Sequence, residues 1–323
     1  MSDSSTGPRA TGDATSRRIS QPVQGLRAVL TRLVYRVRRK VTYWSERRSG
    51  PPAPGEPAAI GWLRSDEPRC RWEGAEALAR NSQRSSEAIA ALAVAMADAE
   101  PFVRWQAAEA LAAQQANRVF PVLRGALADS ERLRRQSAAE ALGLMGGEAA
   151  ALTLSEHGAD PDSGVRAEVA RALGMCGDPT CVSVLIPMLA DESSDVRRAG
   201  AGALGRGGNL SAAAPLAAAL AQPGQQLLVR RALAAALARL PHPDVQPALL
   251  AALGDPDPQV RGYAAQALGQ IDTEASHAAL LAAKQDTGKL LEGTVADRAK
   301  AALAMLERRG RRAAPSGGTT EVH

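Results

Sequence analysis

Apolar and polar positions along residues 58–309 follow two nested periods. Within Asp255–Leu268, DPDPQVRGYAAQAL, the residues Val260, Ala264 and Leu268 fall four apart, on one face of a helix. The same word recurs at Asp98–Leu111, Asp129–Leu142, Asp160–Leu173, Asp191–Leu204 and Gly224–Leu237, with weaker copies at Ser65–Leu78 and Leu290–Leu303. The closing Leu steps along the chain by 33, 31, 31, 31, 33, 31 and 35 residues. Between successive words lies a shorter apolar run, such as CVSVLIPML (Cys181–Leu189) or VQPALLAAL (Val245–Leu253). Each period therefore predicts two antiparallel helices. One such pair cannot bury its own apolar face, whereas stacked neighbours can, so the repeat predicts a solenoid.

Turn residues punctuate the pattern. Gly143, Gly205 and Gly269 are expected to end the long helices, and Asp178-Pro179 and Pro243-Asp244 to start the short ones. In five words an Asp precedes an Arg by six: Asp98/Arg104, Asp129/Arg135, Asp160/Arg166, Asp191/Arg197 and Asp255/Arg261. The Asp is expected to cap the next helix and to offset the cost of a cation in its first turn. Recurrence argues that the pair serves the stack rather than an anion site. Gly224 replaces the Asp in the sixth word, and Leu290 and Ala296 replace both partners in the eighth. In the first word Ser65 holds the Asp place and Cys70 the Val place, as degenerate end repeats allow.

The pattern D-x5-R-x2-A-x2-AL-G, recurring eight times over about four fifths of the chain, resembles the HEAT repeat. The nearest subtype is the one first noted in phycobilisome lyases. The resemblance implies an all-α fold, an α–α superhelix (solenoid) of about eight HEAT-like helical hairpins. It also implies an Asp–Arg ladder along the stacked turns, and places the second helix of each hairpin on the concave side. On that helix two columns are not spent on the core. Six places before the closing Leu stand Trp72 and Trp105 in the early repeats, then Arg198 and Arg231. Two places before it stand Glu76, Glu109 and Glu140, then Arg171. Tyr263 is likewise left free by the repeat. Two Trp at one repeat position, in a chain with 3% aromatic residues, point to a protein-partner site. The competing expectation is that both Trp fill gaps between repeats and the Glu form a solvated face.

Charge is unevenly placed. Residues 1–50 carry eleven Lys or Arg against three Asp or Glu, whereas residues 51–309 carry twenty-six against thirty. Within the first part, Leu26, Val29, Leu30, Leu33, Val34, Val37, Val41 and Trp44 form one helical stripe flanked by Arg. The expected organisation is a disordered tail at 1–20, a basic amphipathic helix at 21–48, a linker at 49–57, the solenoid at 58–309 and a disordered tail at 310–323. The basic helix suits an anionic membrane surface, nucleic-acid phosphates or the end of the solenoid. The acidic body disfavours specific nucleic-acid binding.

Candidate chemistry is sparse. No secretory segment stands out, which points to a cytoplasmic bacterial protein, with peripheral membrane contact through 21–48 as the alternative. Relatives of this repeat include deoxyhypusine hydroxylases, which hold iron with His-Glu dipeptides. None of His157, His242, His277 and His323 is followed by Glu, so that metal site does not carry over. Cys176 and Cys181 in CGDPTC make a weak metal signal and read better as small buried residues. No cofactor is implied. The reading is a non-catalytic scaffold with a protein partner. Its alternatives are a repeat-type enzyme or enzyme subunit, and membrane or nucleic-acid association through the basic helix.

Overall fold

The computed structural model describes residues 54–80 and 83–313. The expected N-terminal tail, the basic helix at 21–48 and most of the linker lie outside them. Among the described residues sixteen α-helices follow one another without a strand. They pair as α1 (Glu56–Leu63) with α2 (Pro68–Ala79), α3 (Ser86–Ala95) with α4 (Pro101–Ala112), α5 (Ala116–Leu127) with α6 (Arg132–Met145) and α7 (Gly147–Ser155) with α8 (Ser163–Cys176). The second half continues with α9 (Val182–Leu185) and α10 (Ser194–Gly207), α11 (Ala213–Ala221) and α12 (Leu227–Leu237), α13 (Gln246–Ala252) and α14 (Pro258–Leu268), then α15 (Glu274–Ala283) and α16 (Val295–Ala313). The residues at 310–313, expected in the C-terminal tail, continue α16.

The even-numbered helices carry the repeated word and pack in series, from α2 on α4 to α14 on α16. Odd helices form the second row, with α1 on α3, α3 on α5, α11 on α13 and α13 on α15. The closing Leu of each word from Leu78 to Leu303 is buried between the rows, as are Val103, Val165, Val196, Val229 and Val260. Each buried Leu contributes about 1.5–3 kcal/mol, so the stack is held by many equal anchors. Much of the remaining core is Ala, which lets helix axes approach.

The glycines after the closing Leu are not helix ends, as expected, in two of the three cases. Gly143 and Gly205 lie inside α6 and α10, as does Gly174 inside α8. A Cβ on Gly174 would stand 2.7 Å from both Cα and Cβ of Ala203 in the next repeat. Gly143 meets Ala172, Gly205 meets Ala236 and Gly269 meets Ala302 in the same way. These positions are glycine because a neighbouring backbone occupies the space. α8 and α10 end three residues later, at Gly177 and Gly208 with φ of 67° and 69°, where a left-handed residue closes the helix.

The short apolar runs are also less regular than their pattern suggests. Asp178 accepts from the Thr180 N–H at 2.8 Å and opens a single 3₁₀ turn rather than an α-helix. Pro187, which has no N–H to donate, then limits α9 to four residues and a second 3₁₀ turn follows. Pro243 likewise opens a 3₁₀ turn before α13.

The Asp–Arg ladder exists, but its rungs connect different residues from those expected. Arg166 grips Asp191 of the next repeat with Nε and Nη2, at 2.8 and 2.9 Å. Its Nη1 donates to the carbonyls of Asp160 and Pro161, the start of its own turn, at 2.9 and 3.2 Å. So the Arg uses the backbone, not the carboxylate, of the Asp six residues before it. Equivalent rungs join Arg71 to Asp98, Arg135 to Asp160, Arg230 to Asp255 and Arg261 to Asp286. Arg104 holds the carbonyls of Asp98 and Ala99 as the others do theirs. Nor is the ladder Asp the helix cap. Asp191 accepts from the N–H of Ser193 two residues on, and the cap is that later residue, as at Asp162 and Asp257.

Two departures from the pattern are repaired locally. Where Gly224 interrupts the ladder, Gln225 accepts from Arg197 Nε at 3.1 Å. In the eighth repeat the Asp place belongs to Asp286, not Leu290, because the turn is longer by four residues. An antiparallel bridge between Lys289 and Thr294 closes the extra loop. α16 then starts on a reciprocal cap: Thr294 Oγ1 accepts from the Asp297 N–H at 3.2 Å, and Asp297 accepts from the Thr294 N–H at 3.0 Å.

Candidate functional site

The even helices present one exposed face, formed by positions six and two before the closing Leu and two after it. These three positions are each one helical turn apart, so they line up along every helix. The first column is largely consumed by packing. Trp72 is only 9% exposed and joins the core. Trp105 is half-buried, Ala167 is buried, and Gly262 is covered by the Leu290 side chain.

The charged residues are mostly engaged locally. Arg198 pairs with Asp195 at 2.9 Å, and Arg231 grips Asp257 at 2.6 and 2.9 Å. Arg171 pairs at 2.6 Å with the buried Glu168 on its own helix. Glu76 meets Arg80 at 3.5 Å, and Glu109 accepts from Gln106 Nε2 at 3.4 Å. Glu140 is half-buried.

Two of the expected residues do meet. Arg231 and Tyr263 share an open cleft of about 550 Å³ between α12, α14 and the loop before α16, walled further by Gln259, Lys289, Leu290 and Leu291. The loop that lengthens the eighth repeat thus builds one wall. Arg298 lies 5.9 Å from the centre of the Tyr263 ring and donates to Gln266 Oε1 at 2.6 Å. Leu291 is 95% exposed at the rim. An aromatic face, an aliphatic rim and cations thus share one hollow.

Among the described residues no three His, Cys, Asp or Glu converge as a metal site would require. Cys70, Cys176 and Cys181 are free thiols. Burial, together with Cys181 and Asp178, pushes Cys176 up to about 11, so it is not a nucleophile near neutral pH. Among the described residues no helix is long and apolar enough to cross a membrane.

The third exposed column, two places after the closing Leu, was not among the expected site residues. It holds Leu144 and Met175, exposed by 40% and 49%, followed by Arg206 and Arg239. The signal was present in the sequence. It was hidden by the expectation that the helices end at the glycine one residue earlier.

A serial stack of helical hairpins in two rows defines an α-solenoid. The family model described as HEAT repeats matches residues 56–143, 150–228 and 224–304, and the chain belongs to this family. Among solved structures, the Escherichia coli protein YibA is 18% identical over 76% of this chain and 88% of its own, with a TM-score of 0.56, a likeness of fold alone. Human deoxyhypusine hydroxylase in complex with glycerol is 27% identical, over 78% of this chain and 96% of its own, with a TM-score of 0.34. The complex of CpcE and CpcF of phycocyanin lyase from Nostoc sp. is 20% identical, over 80% and 97%, with a TM-score of 0.39. No curated protein matches the chain.

Proposed function

We propose that this protein is a non-catalytic scaffold that captures a protein partner on the exposed face of its even helices. HEAT-repeat proteins generally present that face on their concave side. The observation that carries this reading is the cleft beside Tyr263. Aromatic and guanidinium groups gathered in one hollow are frequent anchors of protein interfaces once a partner covers them. Trp105, Glu109 and Glu140 extend the same face toward the first repeats and would contribute the rim of the contact.

The test is affinity capture with the tagged full chain from its native host, comparing the wild type with Tyr263→Ala. A partner retained by the wild type should drop by about tenfold with the variant, as expected for an interface anchor. The melting temperature of the variant should stay within a few degrees, because Tyr263 is only half-buried. A partner set unchanged by Tyr263→Ala would remove the cleft from the interface.

A further inference from the structure

The ladder sets five arginines against an acid in the next repeat. Arg206 and Arg239 lie outside it: among the described residues neither is hydrogen-bonded to, or ion-paired with, a carboxylate. They occupy equivalent positions in successive repeats, two places after the closing Leu. Arg171, in the repeat before, faces them. Arg206 Nη2 lies over Gly174 of α8, where a Cβ would stand 2.6 Å from it, and Nη1 passes Gly202 of its own helix. The guanidinium is therefore seated in the groove between α8 and α10, in a space left by missing side chains.

That seat is electrostatically unfavourable by itself. Burial, then the neighbouring Arg239 and Arg171, lower the affinity of Arg206 for its proton. The end of α10 offers its carbonyl dipoles as partial compensation. Glu168 already meets Arg171, but Arg206 and Arg239, in the next two repeats, have no carboxylate of their own among the described residues and would be met by an anion from outside. On the exposed face Met175 stands one turn after Arg171, and Leu144 holds the equivalent place in the previous repeat.

We propose that Arg171, Arg206 and Arg239, with Met175 beside them, form the receptor for an extended acidic segment of the partner protein. This rests on the scaffold reading above and names the chemistry of what the scaffold holds. Neighbouring helices stand about 8–10 Å apart, and an extended chain rises about 3.3 Å per residue. A carboxylate at every third residue would therefore meet one arginine per repeat, with apolar residues between them reaching Met175. Glu140, Glu109 and Glu76 continue the face toward the N-terminus and would repel such a segment beyond the third repeat. The column has no aromatic side chain on which a base could stack, which disfavours single-stranded nucleic acid.

The experiment uses the full-length protein and a synthetic photo-reactive peptide with Glu at every third position and Leu between. Crosslinks are mapped by mass spectrometry. They should concentrate in α8, α10 and the start of the turn after α12, and fall by about tenfold in Arg206→Gln/Arg239→Gln, the loss of two charge-assisted contacts. The same peptide with Gln for Glu should not label these helices. Labelling of the basic residues 1–50 should be equal in both proteins and serves as the internal reference. The double variant should melt at the same temperature or higher, because like charges are removed. Undiminished labelling of these helices in the double variant would overturn the proposal, as would labelling confined to residues 1–50. So would a fall in melting temperature, which marks a structural role. Stronger protection of these helices by phosphatidylserine vesicles than by the peptide would assign the site to a membrane instead. If the double variant loses nothing here but Tyr263→Ala still loses the partner, the acidic-segment assignment fails while the scaffold reading stands.

Discussion

Single glycines set how closely the repeats stack. Gly174 and Gly202 lie in adjacent even helices, yet they face different surroundings. A Cβ at 174 meets the backbone of Ala203 at 2.7 Å, whereas at 202 the nearest atom is a flexible Arg206 nitrogen at 3.5 Å. Replacing Gly by Ala inside a helix normally gains about 0.5–1 kcal/mol. Gly202→Ala should therefore stabilise by about that amount. Gly174→Ala should destabilise by about 1–3 kcal/mol, because the neighbouring backbone must move. Chemical denaturation of the two variants checks the opposite signs.

The ladder residues behave as pairs. Asp286 sits below the usual carboxylate range because Arg261 bonds it, with burial opposing and the Gly288 N–H assisting. A carboxyl depressed in the folded state stabilises above its unfolded value, about pH 4, and that gain disappears as pH falls through the folded value. The melting temperature of Arg261→Gln should thus lie below wild type above about pH 5, by the equivalent of about 1–3 kcal/mol for a partly buried pair. The gap should close toward about pH 2, where Asp286 is protonated in both proteins.

At the scale of elements, the repeat was readable because its anchors recur. Val, Ala and Leu at fixed spacing mark the even helices whatever the intervening residues are. Three features were harder to read, each for a physical reason. Pro187 falls in a run whose apolar pattern still looks helical, but its missing N–H breaks the run. Asp286 was displaced from its expected place because four extra residues loop out through the Lys289–Thr294 bridge. Trp72 and Trp105 share a sequence position but not an environment: Trp72 is buried and Trp105 only half-buried, a difference that the repeat pattern does not carry. Of the expected site, Arg231 and Tyr263 meet in a cleft, whereas the Arg206 column appears only once the true helix ends are known.

The loop before α16 depends on its cap. Thr294→Ala removes the two bonds that its hydroxyl makes with Asp297, leaves the one from its backbone N–H, and should cost about 1 kcal/mol. Amide exchange should quicken across residues 286–298, and the wall of the Tyr263 cleft should loosen with it. Exchange confined to the first turn of α16 would show instead that the loop holds its shape alone.

At the scale of the whole molecule, each rung joins a donor in one repeat to an acceptor in the next, so every hairpin has a donor edge and an acceptor edge of the same design. Cuts made one full repeat apart expose matching edges. If Gly143–Leu173 were excised, Arg135 would meet Asp191 in place of Asp160, and Gly174 would follow Leu142 while still facing Ala203. Excision of Gly174–Leu204 would bring Arg166 to Gln225, as Arg197 is now, and leave four charged rungs, as the first excision does. Both shortened chains should fold with unchanged helicity per residue and similar melting temperatures, which circular dichroism would check; loss of helical signal in either would show that the repeats are not equivalent. The ladder is then a coupling with polarity: it lets this protein grow or shrink by whole units at its middle while its two different ends keep their places.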